Sequence, residues 1–326
     1  MATSASSPRT AVRAMSRVFV RVVATPPSYP AFATHLQEGN SIASLTLSFT
    51  SAIQCRGGWF AGVPRRPHRT NAPPFDTEWN RLMTKTLGLI GSGMIGGTLA
   101  RLAVAAGWNV VLSNSRGPET LGALVAELGE RARAATPAET AEAADLVVVT
   151  VPLHAHDRLP REALAGRTVL DTLNYYPQRD GHVTELDSGE LTSSELVQRH
   201  LSGARVVKAF NSIGATQLLS LARPAGAADR SALPIAGDDA AAKAEAAALL
   251  NALGYDAVDT GSLADSWRSE PNTPLYCVPY VGDMPSGLDR AEFQRWFFEA
   301  PGVPVPAQRV KELADAAERG PVGGSL

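Results

Sequence analysis

The sequence predicts an α/β protein: a doubly wound, mostly parallel sheet, followed by a small C-terminal cap and preceded by a disordered N-terminal extension. Three observations predict it. An apolar run from Thr86 breaks into three spaced glycines at Gly91, Gly93 and Gly96 and continues as a helical pattern. From Thr84 onward, strand-like and helix-like segments alternate, which is the order that builds parallel βαβ units. Asp145 to Pro152 is a nearly continuous β-branched run, the mark of a central strand covered on both faces.

The elements follow in order. Met94 to Ala106 is apolar at helical spacing, Gly107 closes that helix, and Asn109 to Ser113 reads as the second strand. Pro118 to Leu128 is the next helix, with Gly129 past its end and a weak strand around Arg131 to Ala134. The Thr136 hydroxyl caps a short helix, and Thr192 and Glu195 form a capping box for another, to Leu201. Further strands are expected at Arg167 to Leu173, Arg205 to Phe210, Ala232 to Ala236 and Tyr255 to Asp259, about eight in all, with a helix from Asp239 to Leu253. Helices at Asp289 to Phe298 and Pro306 to Arg319 make the cap. The expected division is 1–82 extension, 83–262 nucleotide-binding domain and 263–326 cap.

Charge and composition narrow the function. The 326 residues are 44% hydrophobic with a net charge of −2. Residues 1–82 hold nine Arg, no Lys and three acids, a charge of +6, and the remaining 244 residues carry −8. An acidic body argues against a nucleic-acid partner. Only Cys55 and Cys277 occur, so a reducing, cytoplasmic setting is expected, and no apolar run approaches the roughly 18 residues of a membrane span. The extension, with its basic run from Arg9 to Arg21 and its Pro and Gly pairs, reads as a transit-like leader, a disordered tail, or untranslated sequence joined to the chain. The third fits best, because Met83 lies directly before the first strand. Residues 1–82 are therefore expected to be dispensable for folding.

The glycine stretch carries the chemistry. Gly91 turns the chain off the strand, Gly93 lets bare backbone approach a pyrophosphate, and Gly96 lets helix and strand pack closely. Ser92, Met94 and Ile95 complete the turn and open the helix, whose free N–H groups and dipole favour an anion. An NAD site would place Asp or Glu after the second strand, whereas this chain has Asn114, Ser115 and Arg116, all able to donate to a 2′-phosphate. NADP is the expected cofactor.

Residues that follow the later strands are the next candidates, since ligands sit beyond the carboxyl ends of the sheet. They are Thr150, Val151, Pro152, His154, Asn174, Lys208, Asn211 and Ser212. Pro152 shapes a wall for a nicotinamide. One of His154 and His156 is expected in that pocket and the other in solvent, because a lone H-x-H is a poor metal signature. No metal is expected. Lys208 is as open to a structural role as to acid catalysis, and Asp171 is expected to cap backbone or pair with a cation.

Taken together, Gly91 to Gly96, Asn114 to Pro118, Val151 to Leu153, Asp171 to Pro177 and Val206 to Asn211 resemble the NADP oxidoreductases that depend on the deazaflavin coenzyme F-420, over roughly Lys85 to Gly282. Similar domains occur in the reductase part of membrane ferric reductases. The resemblance implies a Rossmann sheet, NADPH on Gly91, Gly93, Gly96, Ser115 and Arg116, and a deazaflavin over the nicotinamide. It implies direct hydride transfer, with His154, Asn174 and Asn211 as candidates for the acceptor pocket and no nucleophile required. The expected partner is a small-molecule redox acceptor; a homodimer is left open. The alternatives are a reductase of imines or β-hydroxy acids, disfavoured by the short C-terminal region, and a non-catalytic NADP sensor.

Overall fold

A computed structural model describes residues 85–283 and 285–320. The expectations for residues 1–82 lie outside them. Eight strands form one twisted sheet in the order β3-β2-β1-β4-β5-β6-β7-β8. They are β1 (Thr86–Ile90), β2 (Asn109–Ser113), β3 (Ala132–Ala134), β4 (Leu146–Val149), β5 (Thr168–Asp171), β6 (Arg205–Lys208), β7 (Ala232–Gly237) and β8 (Asp256–Asp259). β1 pairs in parallel with β2 on one side (Leu89 opposite Leu112) and with β4 on the other (Leu89 opposite Val148). The chain thus starts at β1, winds outward to β3, and returns to wind the other way from β4. That reversal between β1 and β4 opens the crevice in which a doubly wound sheet binds its ligand.

Alternation along the strands builds two cores. In β4, Val148 joins the cluster on one face with Leu87, Leu89, Leu170 and Val207. Its neighbours Val147 and Val149 join the other, with Ile90, Val169 and Val206. A strand whose side chains enter two cores has no polar face to show, which is why its sequence is continuously apolar.

The helices that frame the crevice are α1 (Met94–Ala105), α2 (Gly122–Leu128), α3 (Pro137–Ala143), α4 (Arg161–Leu164), α5 (Pro177–Asp180), α6 (Thr184–Asp187), α7 (Ser193–His200) and α8 (Ala215–Ser220). The capping box expected at Thr192 with Glu195 forms, and the Thr136 hydroxyl expected to cap its helix does so as part of a full box with Glu139. The helix expected from Pro118 begins as a 3-10 turn over Pro118–Leu121 and becomes α-helical only at Gly122. After β7 come α9 (Ala240–Ala252), then α10 (Val278–Val281), α11 (Arg290–Glu299) and α12 (Ala307–Asp315).

Two features exceed the sequence reading. β7 runs antiparallel to β6, with Lys208 opposite Ala236. A fully buried apolar run is compatible with either direction, so the residues of β7 do not encode its sense. The C-terminal region also joins the main core: Leu275, Tyr280, Val305, Val310 and Leu313 pack in the same cluster as β7, and Ala232 N–H donates to the Val305 carbonyl at 2.8 Å. Among the described residues no helix is long and apolar enough to cross a membrane.

Candidate active site

The glycine turn lies at the carboxyl end of β1. Gly91 has φ +109°, and a Cβ there would lie 2.6 Å from Thr150 Oγ1. That hydroxyl donates to the Gly91 carbonyl at 2.8 Å, so the first glycine is fixed both by its backbone conformation and by a neighbouring strand end. A Cβ on Gly96 would come within 2.2 Å of the Gly91 carbonyl oxygen, which makes Gly96 the point of closest approach between helix and strand. Gly93 differs: a Cβ there would meet nothing within 4 Å. It forms the N-cap of α1, no side chain caps that end, and no acid lies in the first turn. The first N–H groups of a twelve-residue helix therefore face open space, which suits a diphosphate.

At the end of β2 the Asn114 side chain shapes the loop. Its Oδ1 accepts from Arg116 N–H at 2.9 Å, and its Nδ2 donates to Thr120 Oγ1 at 2.8 Å. Asn114 thus spends its amide on an Asx turn that presents Ser115 and Arg116. A cleft of about 480 Å³ runs past Gly91, Ser92 and Gly93, along Asn114, Ser115 and Arg116, to Val151, Pro152 and His154. Among the described residues no Asp or Glu lines it, while Arg116 and Arg158 both do. That charge balance fits a ligand carrying several phosphates. Arg158 escaped the sequence reading because it lies well past the end of β4 at Val149, beyond any strand-end rule.

A second cavity, of about 430 Å³, shares the wall made by Gly93, Thr150, Val151 and Pro152. Asn174 and Asn211 meet here, as expected from their places after β5 and β6. Asn174 Nδ2 donates to the Asn211 carbonyl at 3.0 Å, and Asn211 Nδ2 donates to Asn174 Oδ1 at 3.2 Å and to the Ser269 carbonyl at 2.7 Å. Phe210, at φ +59°, is held in the left-handed region immediately before Asn211. The remaining lining includes Tyr176, Arg179, Tyr276, Cys277 and Phe297, none of which the sequence reading placed in a site. The Tyr176 and Tyr276 hydroxyls are hydrogen-bonded to each other, and the Arg179 guanidinium stacks 4.8 Å over the Tyr176 ring while donating to the Asn174 carbonyl at 2.8 Å. Burial pushes both phenols above their ordinary range and the Cys277 thiol up to about 12. All three keep their protons at neutral pH, so beside the Arg179 guanidinium the cavity presents neutral donors and aromatic faces.

The two histidines have separate partners. His154 lines the first cleft, with Nδ1 3.0 Å from Asp180 Oδ1. His156 is not the solvent-facing partner expected of it: its Nδ1 lies 2.9 Å from the Leu153 carbonyl and its ring packs edge-on against His200. Asp180 also accepts from Tyr176 N–H at 2.9 Å and from Arg179, so one carboxylate ties the two cavities together. Burial alone would raise its pKa, but hydrogen bonds from Arg179, Tyr176 and His154 outweigh that and hold it below the usual range. Lys208 lines neither cavity; its side chain is 1% exposed and points into a buried polar cluster with Asp171, in keeping with a structural role.

The family model for coenzyme F420-dependent NADP oxidoreductases matches residues 86–175. The F420-dependent NADP reductase of Methanothermobacter marburgensis is 32% identical over 199 residues, covering 57% of this chain and 87% of that protein. YjhV of Escherichia coli K12 is 46% identical over 57 residues, and there the match spans 18% of this chain and 42% of YjhV. The crystal structure of SMa0349 from Sinorhizobium meliloti superposes with a TM-score of 0.53 at 30% identity, covering 61% of this chain and 96% of that one.

Proposed function

Because this chain belongs to the family of coenzyme F420-dependent NADP oxidoreductases, we propose that it transfers a hydride between NADP(H) in the first cleft and a deazaflavin or flavin-like acceptor in the second. The observation that carries the reading is the shared wall: two cavities, one cationic and glycine-floored, one lined by amides, phenols and the Arg179 guanidinium, meet at Gly93, Thr150, Val151 and Pro152. Bound NADPH supplies the hydride from its nicotinamide, and the protein's contribution is position.

Each residue then has a task. The open N-terminus of α1 at Gly93 takes the diphosphate, and Ser115 with Arg116 takes the 2′-phosphate. Pro152 and Val151 line both cavities and would support the two rings where they meet. Asn174 and Asn211, their amides bonded to each other and to the Ser269 carbonyl, form a fixed polar wall beside a planar heterocycle, while Tyr176, Tyr276 and Phe297 surround it and exclude water. No side chain is asked to form a bond, in keeping with an acceptor cavity whose phenols and thiol hold their protons.

The test is NADPH oxidation against a panel of coenzyme F420, flavin, quinone and ferric acceptors. Turnover with the deazaflavin, or with a flavin, supports the reading. Tight NADPH binding with no turnover on any of them would overturn it in favour of a sensor.

A further inference from the structure

One buried cluster has no part in either cavity. Lys208, the last residue of β6, donates from Nζ to the Leu173 carbonyl and to Ser193 Oγ at 2.8 Å, with Asp171 Oδ2 at 3.5 Å and Glu270 Oε1 at 3.6 Å. Asp171 closes a loop around the same peptide: its Oδ1 accepts from Leu173 N–H at 2.8 Å, and its Oδ2 from Ser194 Oγ at 2.6 Å. Glu270 accepts from Ser193 at both N–H (3.1 Å) and Oγ. One ammonium and two carboxylates are thus gathered where almost no solvent reaches.

Such a trio returns little net stability, since desolvating three charges costs about as much as their attraction supplies, and an apolar core of equal volume often does as well. What it fixes is geometry. The Leu173 peptide is gripped at its N–H by Asp171 and at its C=O by Lys208, and the next residue is Asn174. Glu270 pins the segment whose preceding residue, Ser269, receives the Asn211 amide at 2.7 Å. The cluster therefore holds the backbone behind both asparagines of the second cavity and touches nothing in the nucleotide cleft.

We propose that Lys208 is a positioning residue for the acceptor cavity, setting the facing amides of Asn174 and Asn211 through Leu173 and Glu270. The inference rests on the proposed acceptor role of that cavity for its kinetic consequence, but not for its structural one.

Two variants and two readouts test it. In Lys208→Met, kcat/KM for the acceptor should fall about 10²-fold while the NADPH Kd stays within about twofold, because misplacement by about an ångström is enough to lose that much rate. Glu270→Gln keeps the shape and the Ser193 contacts and should shift the same two constants in the same sense by a smaller factor. If Lys208→Met does not fold, Glu270→Gln decides. The second readout is amide hydrogen exchange on the free protein: residues 173–176 and 269–277 should exchange faster in the variants, and residues 91–97 should not. Equal losses for NADPH and acceptor, or faster exchange spread evenly over the chain, would overturn the proposal. Should the wild type reduce no acceptor, the functional reading fails, and the exchange pattern still decides whether Lys208 holds this wall.

Discussion

The nucleotide half and the acceptor half of the crevice are built differently. The first is local: Gly91 to Gly96 form one turn, Asn114 to Arg116 another, and each is shaped by hydrogen bonds within a few residues or to the adjacent strand. The second is assembled from distant segments, with Tyr176 meeting Tyr276 and Asn211 meeting Ser269. A local motif can be satisfied by residue type alone. An assembled wall needs the whole sheet to be in register before any of its parts face one another. Damage to the first half should therefore be specific to the dinucleotide, and damage to the second specific to the acceptor.

The largest effect should come where a glycine serves the backbone. Gly96→Val places atoms against the Gly91 carbonyl and should cost roughly 3 kcal/mol or more, seen as a large fall in melting temperature or failure to fold. Gly93→Ala is its counterpart, with φ −78° and open space around the new methyl, so the melting temperature should hold while NADPH binding weakens. If Gly93→Ala also unfolds the protein, the open floor is not a ligand site.

Next comes Arg116→Ala. A charge-assisted hydrogen bond is worth about 1.5–3 kcal/mol, so NADPH affinity should drop roughly 10- to 150-fold while NADH affinity hardly moves. Titrations with both dinucleotides at one ionic strength check this, since a phosphate contact is screened by salt. On the other side of the shared wall, Asn174→Leu should lower acceptor kcat/KM by about tenfold, the value of one hydrogen bond of about 1.4 kcal/mol, with NADPH Kd unchanged. A parallel loss of NADPH affinity would show that the two halves are one site.

Asp180 should give the smallest effect and the one that spans both halves. Its folded pKa is depressed, so its contribution is present above the unfolded carboxylate value near 3.9 and fades as pH falls through the lower folded value. Melting temperatures of wild type and Asp180→Asn should begin to converge as pH falls below about 4 and meet only below the depressed folded value, where the folded carboxylate gains its proton. Curves that stay parallel would show that Asp180 does not tie the two cavities together.

What the sequence disclosed follows the same division. The eight strands, the capping box at Thr192, the tight turn at Gly91 and the close packing at Gly96 follow from periodicity and from residue types at short spacing. The reversed direction of β7 did not, because a strand buried on both faces carries no mark of its sense. Tyr276 lies 100 residues from Tyr176 in a stretch without periodicity, and nothing local ties it to a site. Arg179 and Arg158 read as ordinary surface cations until the fold turns them toward a cavity. Which of His154 and His156 enters a pocket was open in the sequence; His154 lines the cleft, and His156, in the 3-10 turn over Leu153–Arg158, packs against His200.

We propose direct hydride transfer between two rings that meet where the cavities share Gly93, Thr150, Val151 and Pro152. Reducing coenzyme F420 with NADPH deuterated on the transferring face of nicotinamide C4 tests it most directly, read by mass spectrometry of the reduced acceptor. With direct transfer the deuterium appears on the acceptor carbon. Deuterium lost to water, with an unlabelled acceptor carbon, would contradict it.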